Sequence, residues 1–178
     1  MDLLESTVRY LQEHELTLAT AESCTAGLIV SELARIPGSG QSIDCGLAVY
    51  SPQAKHRYLG VSFETIDTYG LTSEATSREL ALGALDNNDA DIAVANTGIA
   101  GPKPHDDIPV GTVCFAWALR HDGKTFLFVE TRHFPGERND VRLAAAHHAL
   151  KQIPTYHGAV IRKEASAYDI DQDKETTS

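Results

Sequence analysis

Apolar side chains recur at intervals of three and four along the first fourteen residues, at Leu3, Leu4, Val8 and Leu11. This spacing places them on one face of a helix, so it predicts an amphipathic helix at the start of the chain. A β-rich apolar run from Leu16 to Ala21 then predicts a strand. Helical spacing resumes at Thr25 and predicts a second helix of about ten residues.

Strands and helices continue to alternate through the rest of the chain. The segments "IDCGLAVY" and "DIAVANT" are predicted strands, and Ser51, Ser73 and Gly136 each precede a helical pattern. Asp122 and Gly123 lie between the apolar runs "TVCFAWAL" and "TFLFVETRHF", an arrangement typical of a β-hairpin. The order predicts an α/β fold of three layers, α/β/α, with a mixed sheet that includes the antiparallel hairpin.

The length of 178 residues suits one compact domain. Periodicity ends near Pro154, so we expect the domain to cover residues 1–154 and residues 155–178 to form a poorly ordered polar tail. The amino terminus has an acid where a secretion signal needs basic residues, and no apolar run approaches the eighteen or so residues of a membrane span. We therefore expect a cytoplasmic protein that has no membrane partner.

Charge and cysteine usage argue against several kinds of partner. Twenty-five acids against fifteen lysines and arginines give a formal net charge of −10, which argues against a nucleic-acid partner because its phosphates would be repelled. Cys24, Cys45 and Cys114 lie far apart, and the eight histidines show no metal-ligand spacing. The sequence therefore predicts neither a disulfide framework nor a metal or other cofactor.

Loops at the carboxyl ends of strands are where α/β sheets bind ligands. The first such loop contains Ser23, at the start of a helix whose free backbone N–H groups could stabilise an oxyanion. Ser23 is therefore a candidate nucleophile, although Ser23 or Thr25 could equally serve as a helix cap, which is the commoner role. Cys24 is a rival nucleophile, but a free cysteine is most often a small buried side chain.

Lys55, in the next loop, is the most informative residue. If Ser51 caps a helix that begins at Pro52, Lys55 falls near the first turn, where the helix dipole disfavours a cation. The same field lowers the pKa of a lysine, and a neutral lysine is able to take the proton of a serine hydroxyl. Ser23 and Lys55 would then form a hydrolytic dyad. The alternative is a solvated surface lysine.

Further candidates lie in neighbouring loops. Tyr50 could donate a hydrogen bond, stack on a flat ring, or simply end a strand. Thr97 and Gly98 begin a glycine loop, where they either contact a ligand or only shape the turn. Arg138, near the start of the last predicted helix, is a second cation at the unfavourable end of a helix dipole. A bound phosphate or carboxylate would explain it, and so would a pair with a neighbouring acid.

Five segments, taken in order, resemble those of the CinA carboxy-terminal domain family: "ATAESCTAGL", "YSPQAKHRYLGV", "TGIAGP", "PVGTV" and "FPGERNDVR". The resemblance covers roughly residues 2–152, and active members of the family are nicotinamide mononucleotide amidohydrolases. It implies metal-free hydrolysis of the carboxamide to nicotinic acid mononucleotide and ammonia. It also implies a serine–lysine dyad at Ser23 and Lys55, with Tyr50 in support.

The resemblance further implies a small nucleotide as the substrate, a homodimer, and no cofactor. The residues expected to bind the substrate are Glu22, Thr25, Thr97, Gly98 and Arg138. We also expect the stand-alone form of the family, without a molybdopterin-binding-like domain before this one.

Three departures from the family pattern motivate an alternative. Ala26 stands where the family commonly has glycine, and Gly40 stands where it often has a second serine. The loop after Pro102 reads "KPHDDI", where further glycines are usual. The alternative hypothesis is a nucleotide-binding member of the same family whose catalysis is impaired.

Overall fold

The computed structural model describes residues 2–169 of the chain. Within these residues, one sheet contains β1 (Leu18–Glu22), β2 (Ile43–Ala48), β3 (Ile92–Gly98), β4 (Thr112–His121) and β5 (Lys124–His133). The α-helices are α1 (Leu3–Glu13), α2 (Leu28–Ala34), α3 (Pro52–Leu59), α4 (Phe63–Tyr69), α5 (Glu74–Asp86), α6 (Arg138–Lys151) and α7 (Ile153–Ile161). A short 3-10 helix, Ser39–Ser42, precedes β2.

The sheet is mixed, with the strand order β2-β1-β3-β4-β5. β1 is parallel to β2 and β3, whereas β4 is antiparallel to β3 and β5. From β1 the chain passes through α2 to the strand on one side, and it later returns to the strand on the other side. The carboxyl end of β1 is therefore a topological switch point, where open α/β sheets bind their ligands.

Helices cover both faces of the sheet. The core on one face includes residues of α1, α2, α6 and α7, together with Phe115 and Trp117 of β4. The core on the other face includes Leu80 and Ala84 of α5. The buried indole N–H of Trp117 donates to the carbonyl of Ala149 at 2.9 Å, so burial leaves this donor satisfied. The predicted three-layer α/β/α fold with its mixed sheet is confirmed.

The predicted hairpin joins β4 to β5. It turns at Asp122 and Gly123, whose φ angles of 49° and 71° are both positive. Two consecutive residues in this region define the type I′ turn, whose twist matches that of the flanking strands.

The second predicted helix starts later than expected. α2 begins at Leu28 and contains seven residues, so the predicted start at Thr25 was wrong. Gly27 is the N-cap residue, with φ at 92°, and as a glycine it has no side chain to cap the helix. The residues between β1 and Gly27 form a loop that carries Ser23.

The chain remains helical beyond residue 154. Helix α7 occupies Ile153–Ile161, so the expectation of a poorly ordered tail was wrong for residues 155–161. The prediction ends the domain near Pro154 because proline often ends a helix. Proline in a first helical turn interrupts no hydrogen bond, however, and Pro154 lies in the first turn of α7. Two side chains of α7, Ile153 and Val160, are buried in the core.

The segment after α7 also contacts the sheet. The N–H of Tyr168 donates to the carbonyl of Thr125 in β5 at 2.7 Å. The remainder of the expected tail, residues 170–178, lies outside the described residues.

Candidate active site

Ser23 and Lys55 meet at the carboxyl end of β1. Ser23 directly follows the last residue of that strand. In α3, the hydroxyl of Ser51 accepts the N–H of Ala54 at 3.1 Å, and Pro52 is the first residue, as predicted. Lys55 extends from this first part of α3 until its Nζ lies 2.9 Å from Ser23 Oγ. The structure therefore brings the two candidate dyad residues together.

The amine of Lys55 has three hydrogen-bond partners. Besides Ser23 Oγ, Nζ lies 2.8 Å from the carbonyl of Val49 and 2.7 Å from the carbonyl of Tyr50. A neutral amine has two N–H groups and one lone pair, and the two carbonyls accept both N–H groups. The lone pair is then free to accept the hydroxyl proton of Ser23. This geometry suits a lysine that acts as a base.

Burial determines the protonation of Lys55. The side chain is 1% exposed, and its burial lowers the pKa to about 8. The sequence attributed a lowered pKa to the helix dipole, whereas removal from water is the larger cause. All three hydrogen-bond partners of Nζ are uncharged, so they offer an ammonium no compensating ion pair.

Cys24 lies beside Ser23, but its surroundings disfavour the reactive form of its side chain. Its thiol is buried and donates to Oδ1 of Asn96 at 3.5 Å. Burial raises the pKa of Cys24 to about 12, so the sulfur remains a thiol at neutral pH. Because the thiolate is the reactive form, this environment makes Cys24 a poor nucleophile.

The carboxylate of Glu22 supports the loop that carries Ser23. It is fully buried and accepts the backbone N–H groups of Gly27, Ile29 and Val30 at 3.0 to 3.1 Å. A negative charge at this end of a helix also interacts favourably with the helix dipole. Glu22 therefore caps α2 from the end of β1, and these helix amides are not available to an oxyanion.

Thr25 belongs to the same buried network. Its hydroxyl donates to the carboxylate of Glu22 at 2.6 Å and accepts Nδ2 of Asn96 at 2.9 Å. The hypothesis that Thr25 caps α2 is therefore wrong, because the N-cap residue is Gly27. Glu22 and Thr25 do not line the cavity described below. Their expected role in substrate binding stays a prediction, and in the structure their side chains join the loop that carries Ser23 to α2 and to Asn96 of β3.

Two residues that hold the loop from Ser23 to Gly27, called here the nucleophile loop after its candidate nucleophile, were not identified from the sequence. Oδ1 of Asn96 lies 3.4 Å from the N–H of Ser23. Arg142 on α6 donates from Nε to the carbonyl of Cys24 at 3.1 Å and from Nη2 to the carbonyl of Thr25 at 2.9 Å. Contacts of this kind join positions more than 70 residues apart and leave no local pattern, although Arg142 lies within the segment "FPGERNDVR".

A cavity of about 190 Å³ opens beside the dyad. Its walls combine polar and apolar side chains from the three predicted loops, from the segment between α4 and α5, and from the loop after Pro102. They are Ser23, Cys24, Tyr50, Lys55, Leu71, Thr72, Thr97, Gly98, Ile99, His105, Asp106 and Ile108. A cavity of roughly 150 Å³ accommodates benzene, so this one has room for a single aromatic ring next to Ser23.

Tyr50 and Arg138 lie together at the rim. Tyr50 is 56% exposed, and its hydroxyl accepts Nη2 of Arg138 at 3.1 Å. Arg138 also donates to the carbonyl of Gly101. The sequence alternative was an ion pair between Arg138 and a neighbouring acid, and these hydrogen bonds go to uncharged oxygens. The phenol of Tyr50 thus contacts Arg138, whereas its carbonyl contacts Lys55. Arg138 does not line the cavity itself.

Thr97 and Gly98 end β3 beside the cavity. Thr97 is buried, with its hydroxyl 3.4 Å from that of Ser77. A Cβ added to Gly98 would lie 2.8 Å from the carbonyl of Thr112 and 3.1 Å from the sulfur of Cys24. Gly98 is therefore required by the close packing of β3 against β4 and the nucleophile loop.

The three departures from the family pattern occupy different places. Ala26 has φ at 52°, in the left-handed region that favours glycine. Gly40 lies in the 3-10 helix before β2, at the end of the sheet opposite to Ser23, and an added Cβ there meets no atom within 4 Å. Of the three, only the loop after Pro102 reaches the cavity, through His105, Asp106 and Ile108.

Residues 2–169 contain neither a cluster of metal ligands nor a helix that could cross a membrane. No group of three or more histidine, cysteine, aspartate or glutamate side chains there is placed to hold a metal ion. None of the helices described combines the length and the apolar character needed to cross a membrane.

Comparison with known proteins gives consistent similarities. The family model described as the CinA C-terminal domain matches residues 1–156. A CinA-like protein of Chlorobium limicola is 40% identical over 161 residues, covering 89% of this chain and 38% of its own length. A CinA-like protein of Chlorobaculum tepidum is 42% identical over 152 residues, covering 81% of this chain and 35% of its own length. The chain thus spans less than two fifths of these relatives.

Solved structures agree with the fold. The crystal structure of a competence or damage-inducible protein from Enterobacter asburiae is similar with a TM-score of 0.80 and 38% identity, covering 86% of this chain and 95% of that one. A competence-damaged protein superfamily structure from Escherichia coli has a TM-score of 0.78 and 34% identity, covering 85% and 86% of the two chains.

Proposed function

Since the chain belongs to the CinA C-terminal domain family, we propose that it hydrolyses the carboxamide of nicotinamide mononucleotide to nicotinic acid mononucleotide and ammonia. The observation that carries this proposal is the 2.9 Å contact between Nζ of Lys55 and Oγ of Ser23 at the wall of a cavity sized for one aromatic ring. Ser23 is the nucleophile and Lys55 is the general base and acid.

In the acylation step, Lys55 first accepts a proton from Ser23 and then donates it to the leaving group. The neutral amine of Lys55 takes the hydroxyl proton of Ser23 as Oγ bonds to the carboxamide carbon, and the carbonyl oxygen becomes an oxyanion. The C–N bond then breaks, and Lys55 gives its proton to the departing nitrogen, which leaves as ammonia. The product of this step is an ester between Ser23 and the pyridine carboxyl group, with Lys55 neutral again.

Deacylation repeats the same cycle with water. Lys55 takes a proton from water, the resulting hydroxide adds to the ester carbon, and collapse of the intermediate returns the proton to Oγ of Ser23. Nicotinic acid mononucleotide leaves with its carboxylate. The side chains of Tyr50 and Thr97 position the ring and the dyad.

The substrate is longer than the cavity. Its pyridine ring fits the space beside Ser23, so the ribose and phosphate extend over the rim where Tyr50 and Arg138 lie. Arg138 donates there to neutral oxygens of Gly101 and Tyr50. A phosphate would be a stronger acceptor for its guanidinium than either of these.

Ammonia release from nicotinamide mononucleotide tests the proposal directly. We expect Ser23→Ala and Lys55→Met each to lower kcat by at least 10³-fold, because both remove a reacting group. Cys24→Ala is the matched control beside the nucleophile and should retain kcat within about threefold, because its thiol is not used. A loss of activity in Cys24→Ala with Ser23→Ala unaffected would contradict the dyad and favour a cysteine hydrolase.

The second candidate is a nucleotide-binding domain with impaired catalysis. The observation that favours it is that the loop after Pro102, which departs from the family pattern, lines the cavity through His105, Asp106 and Ile108. Binding of the mononucleotide by a thermal shift, with no ammonia released, would identify this case. If Asp106→Gly then restored ammonia release, the loop after Pro102 would be the cause of the impairment.

A further inference from the structure

We propose that Ser77 is a positioning residue that sets the hydrogen-bond polarity of Thr97, so that the cavity binds a carboxamide in preference to the carboxylate formed from it. This inference rests on the function proposed above and concerns how the same site recognises its substrate. Ser77 lies on α5, is fully buried and does not line the cavity, whereas Thr97 of β3 does. Ser77 therefore acts on a ligand only through Thr97.

The side chain of Thr97 lies beside the nucleophile. Side chains alternate between the two faces of a strand, and Ala95 of β3 belongs to the core on the α5 face, so Thr97 also faces α5. The N–H of Ser23 donates to the carbonyl of Asn96 at 3.2 Å, which continues the parallel pairing of β1 with β3. Ser23 and Thr97 are thus neighbours on adjacent chain segments, and both line the cavity.

The single proton of each hydroxyl fixes the direction of the hydrogen bond between Ser77 and Thr97. The hydroxyl of Ser77 donates to the carbonyl of Cys114 at 2.9 Å. Its Oγ is then able only to accept from Thr97, whose Oγ1 lies 3.4 Å away. Within residues 2–169, Ser77 is the hydrogen-bond partner given to the Thr97 hydroxyl. The proton of Thr97 therefore points to Ser77, and its oxygen lone pairs remain available to a ligand.

An acceptor at this position distinguishes an amide from an acid. The NH₂ group of a carboxamide donates hydrogen bonds, whereas an ionised carboxylate only accepts them. A carboxylate here either faces the oxygen of Thr97 or turns the Thr97 proton away from Ser77, which breaks their hydrogen bond. When Lys55 is neutral, the proton of Ser23 goes to Nζ, so a second hydroxyl oxygen faces the ligand as an acceptor. The site therefore binds the substrate amide more tightly than the acid product.

Calorimetric titrations with nicotinamide mononucleotide and nicotinic acid mononucleotide test this role. Ser23→Ala is the background, because it binds the amide without turnover, and pH 9 favours neutral Lys55. We expect Ser77→Ala to tighten binding of the acid roughly tenfold and to change binding of the amide by less than about threefold, because the released Thr97 hydroxyl is able to donate as well as accept.

Thr97→Val tests the same hydrogen bond from its other end. It keeps the shape of the side chain and removes the oxygen, so binding of the amide should weaken roughly tenfold while binding of the acid stays within about threefold. In the Thr97→Val background, Ser77→Ala should not change the ratio of the two dissociation constants further. Thr7→Val is the matched control. It removes a buried hydroxyl of α1 that donates to the carbonyl of Leu3 at 2.9 Å, and it should leave both dissociation constants unchanged.

A merely structural role of Ser77 gives a different result. Equal weakening of both nucleotides, or an unchanged ratio, in folded Ser77→Ala would overturn the proposal, and so would an unchanged ratio in Thr97→Val. Wild-type protein that binds both nucleotides but releases no ammonia would overturn the proposed hydrolysis alone, and the ratio would still decide the role of Ser77. Absence of binding of either nucleotide to Ser23→Ala would overturn both.

Discussion

Lys55 is a lysine almost completely removed from water, and its amine contacts only uncharged oxygens among the described residues. Burial disfavours the ammonium form, and this lowers the pKa to about 8. About one molecule in ten then holds a neutral Lys55 at pH 7. This is a substantial population, because an exposed lysine would be neutral in fewer than about one molecule in a thousand.

The pH dependence of hydrolysis follows from this pKa. Lowering the pH protonates Lys55 and removes the base. We therefore expect kcat/KM for ammonia release to increase with pH, with an apparent pKa of about 8, and to level off above that pH. Melting temperatures across the same pH range control for unfolding. A profile that is flat between pH 6.5 and 9.5 would show that Lys55 does not act as the base.

Glu22 is a second buried ionisable residue, and its carboxylate supports the loop that carries Ser23. Its carboxylate accepts hydrogen bonds from Thr20, Thr25, Gly27, Ile29 and Val30. In Glu22→Gln, an amide NH₂ would replace one acceptor oxygen and face donors. We expect the free energy of unfolding in urea to fall by about 3 kcal/mol.

Glu13→Gln is the matched control for Glu22→Gln. Glu13 is exposed and pairs with Arg9 across one helical turn at 3.6 Å, and surface pairs of this kind contribute little. Its free energy of unfolding should change by less than about 0.5 kcal/mol. Equal effects of the two substitutions would mean that the Glu22 network does not stabilise the fold.

The sequence identified the candidate site residues better than the residues that support them. Ser23, Lys55 and Tyr50 carry signals that a reader of the chain can find: a hydroxyl at a strand end, a cation in a first helical turn, and an aromatic side chain before a cap. Asn96 and Arg142 support the same loop through single contacts between distant parts of the chain. No periodicity or motif rule encodes such contacts, because they exist only once the sheet and α6 are assembled.

At the scale of elements, the loop from Ser23 to Gly27 explains why α2 was placed wrongly. Sequence rules look for the cap in the residue just before a helix. Here the capping carboxylate belongs to Glu22 at the end of β1, five residues before Gly27. The chain between them makes a turn that requires positive φ at Ala26 and Gly27, so it is not helical.

Substitution of Ala26 tests the cost of this turn. An L-residue in the left-handed region is less stable than glycine by about 1–2 kcal/mol, part of which the greater backbone entropy of unfolded glycine offsets. Ala26→Gly should therefore raise the free energy of unfolding by up to about 1 kcal/mol in urea titrations. Ala144→Gly, inside α6, should lower it by about 1 kcal/mol, as glycine does in a helix. A decrease for Ala26→Gly would contradict the assigned backbone conformation.

At the scale of the whole molecule, α7 belongs to the folded domain. Ile153 and Val160 lie in the core beneath β4, and Tyr156 stacks on Phe128 of β5 with ring centroids 4.4 Å apart. The family match also extends to residue 156. Loss of periodicity misplaced the boundary because Pro154 lies in the first turn of another helix. It does not separate a domain from a tail.

Alanine substitutions on α7 test this boundary. Ile153 is 1% exposed and Ile161 is 41% exposed. Ile153→Ala should lower the free energy of unfolding by about 2–5 kcal/mol because it leaves a cavity in the core. Ile161→Ala removes the same atoms from the surface and should cost less than about 1 kcal/mol. Equal, small effects in urea titrations would place α7 outside the cooperative unit.

The two acceptors that hold the Lys55 amine in place, Val49 and Tyr50, act through main-chain oxygens. A mutation replaces a side chain and leaves the carbonyl where it was. Inherited changes at Tyr50, whose side chain lines the cavity, are thus free to reshape its rim while the carbonyl contact with Lys55 is kept. Under the proposed mechanism, substrate preference and reaction chemistry are separately heritable in this fold, so a lineage is able to diversify the first without risking the second.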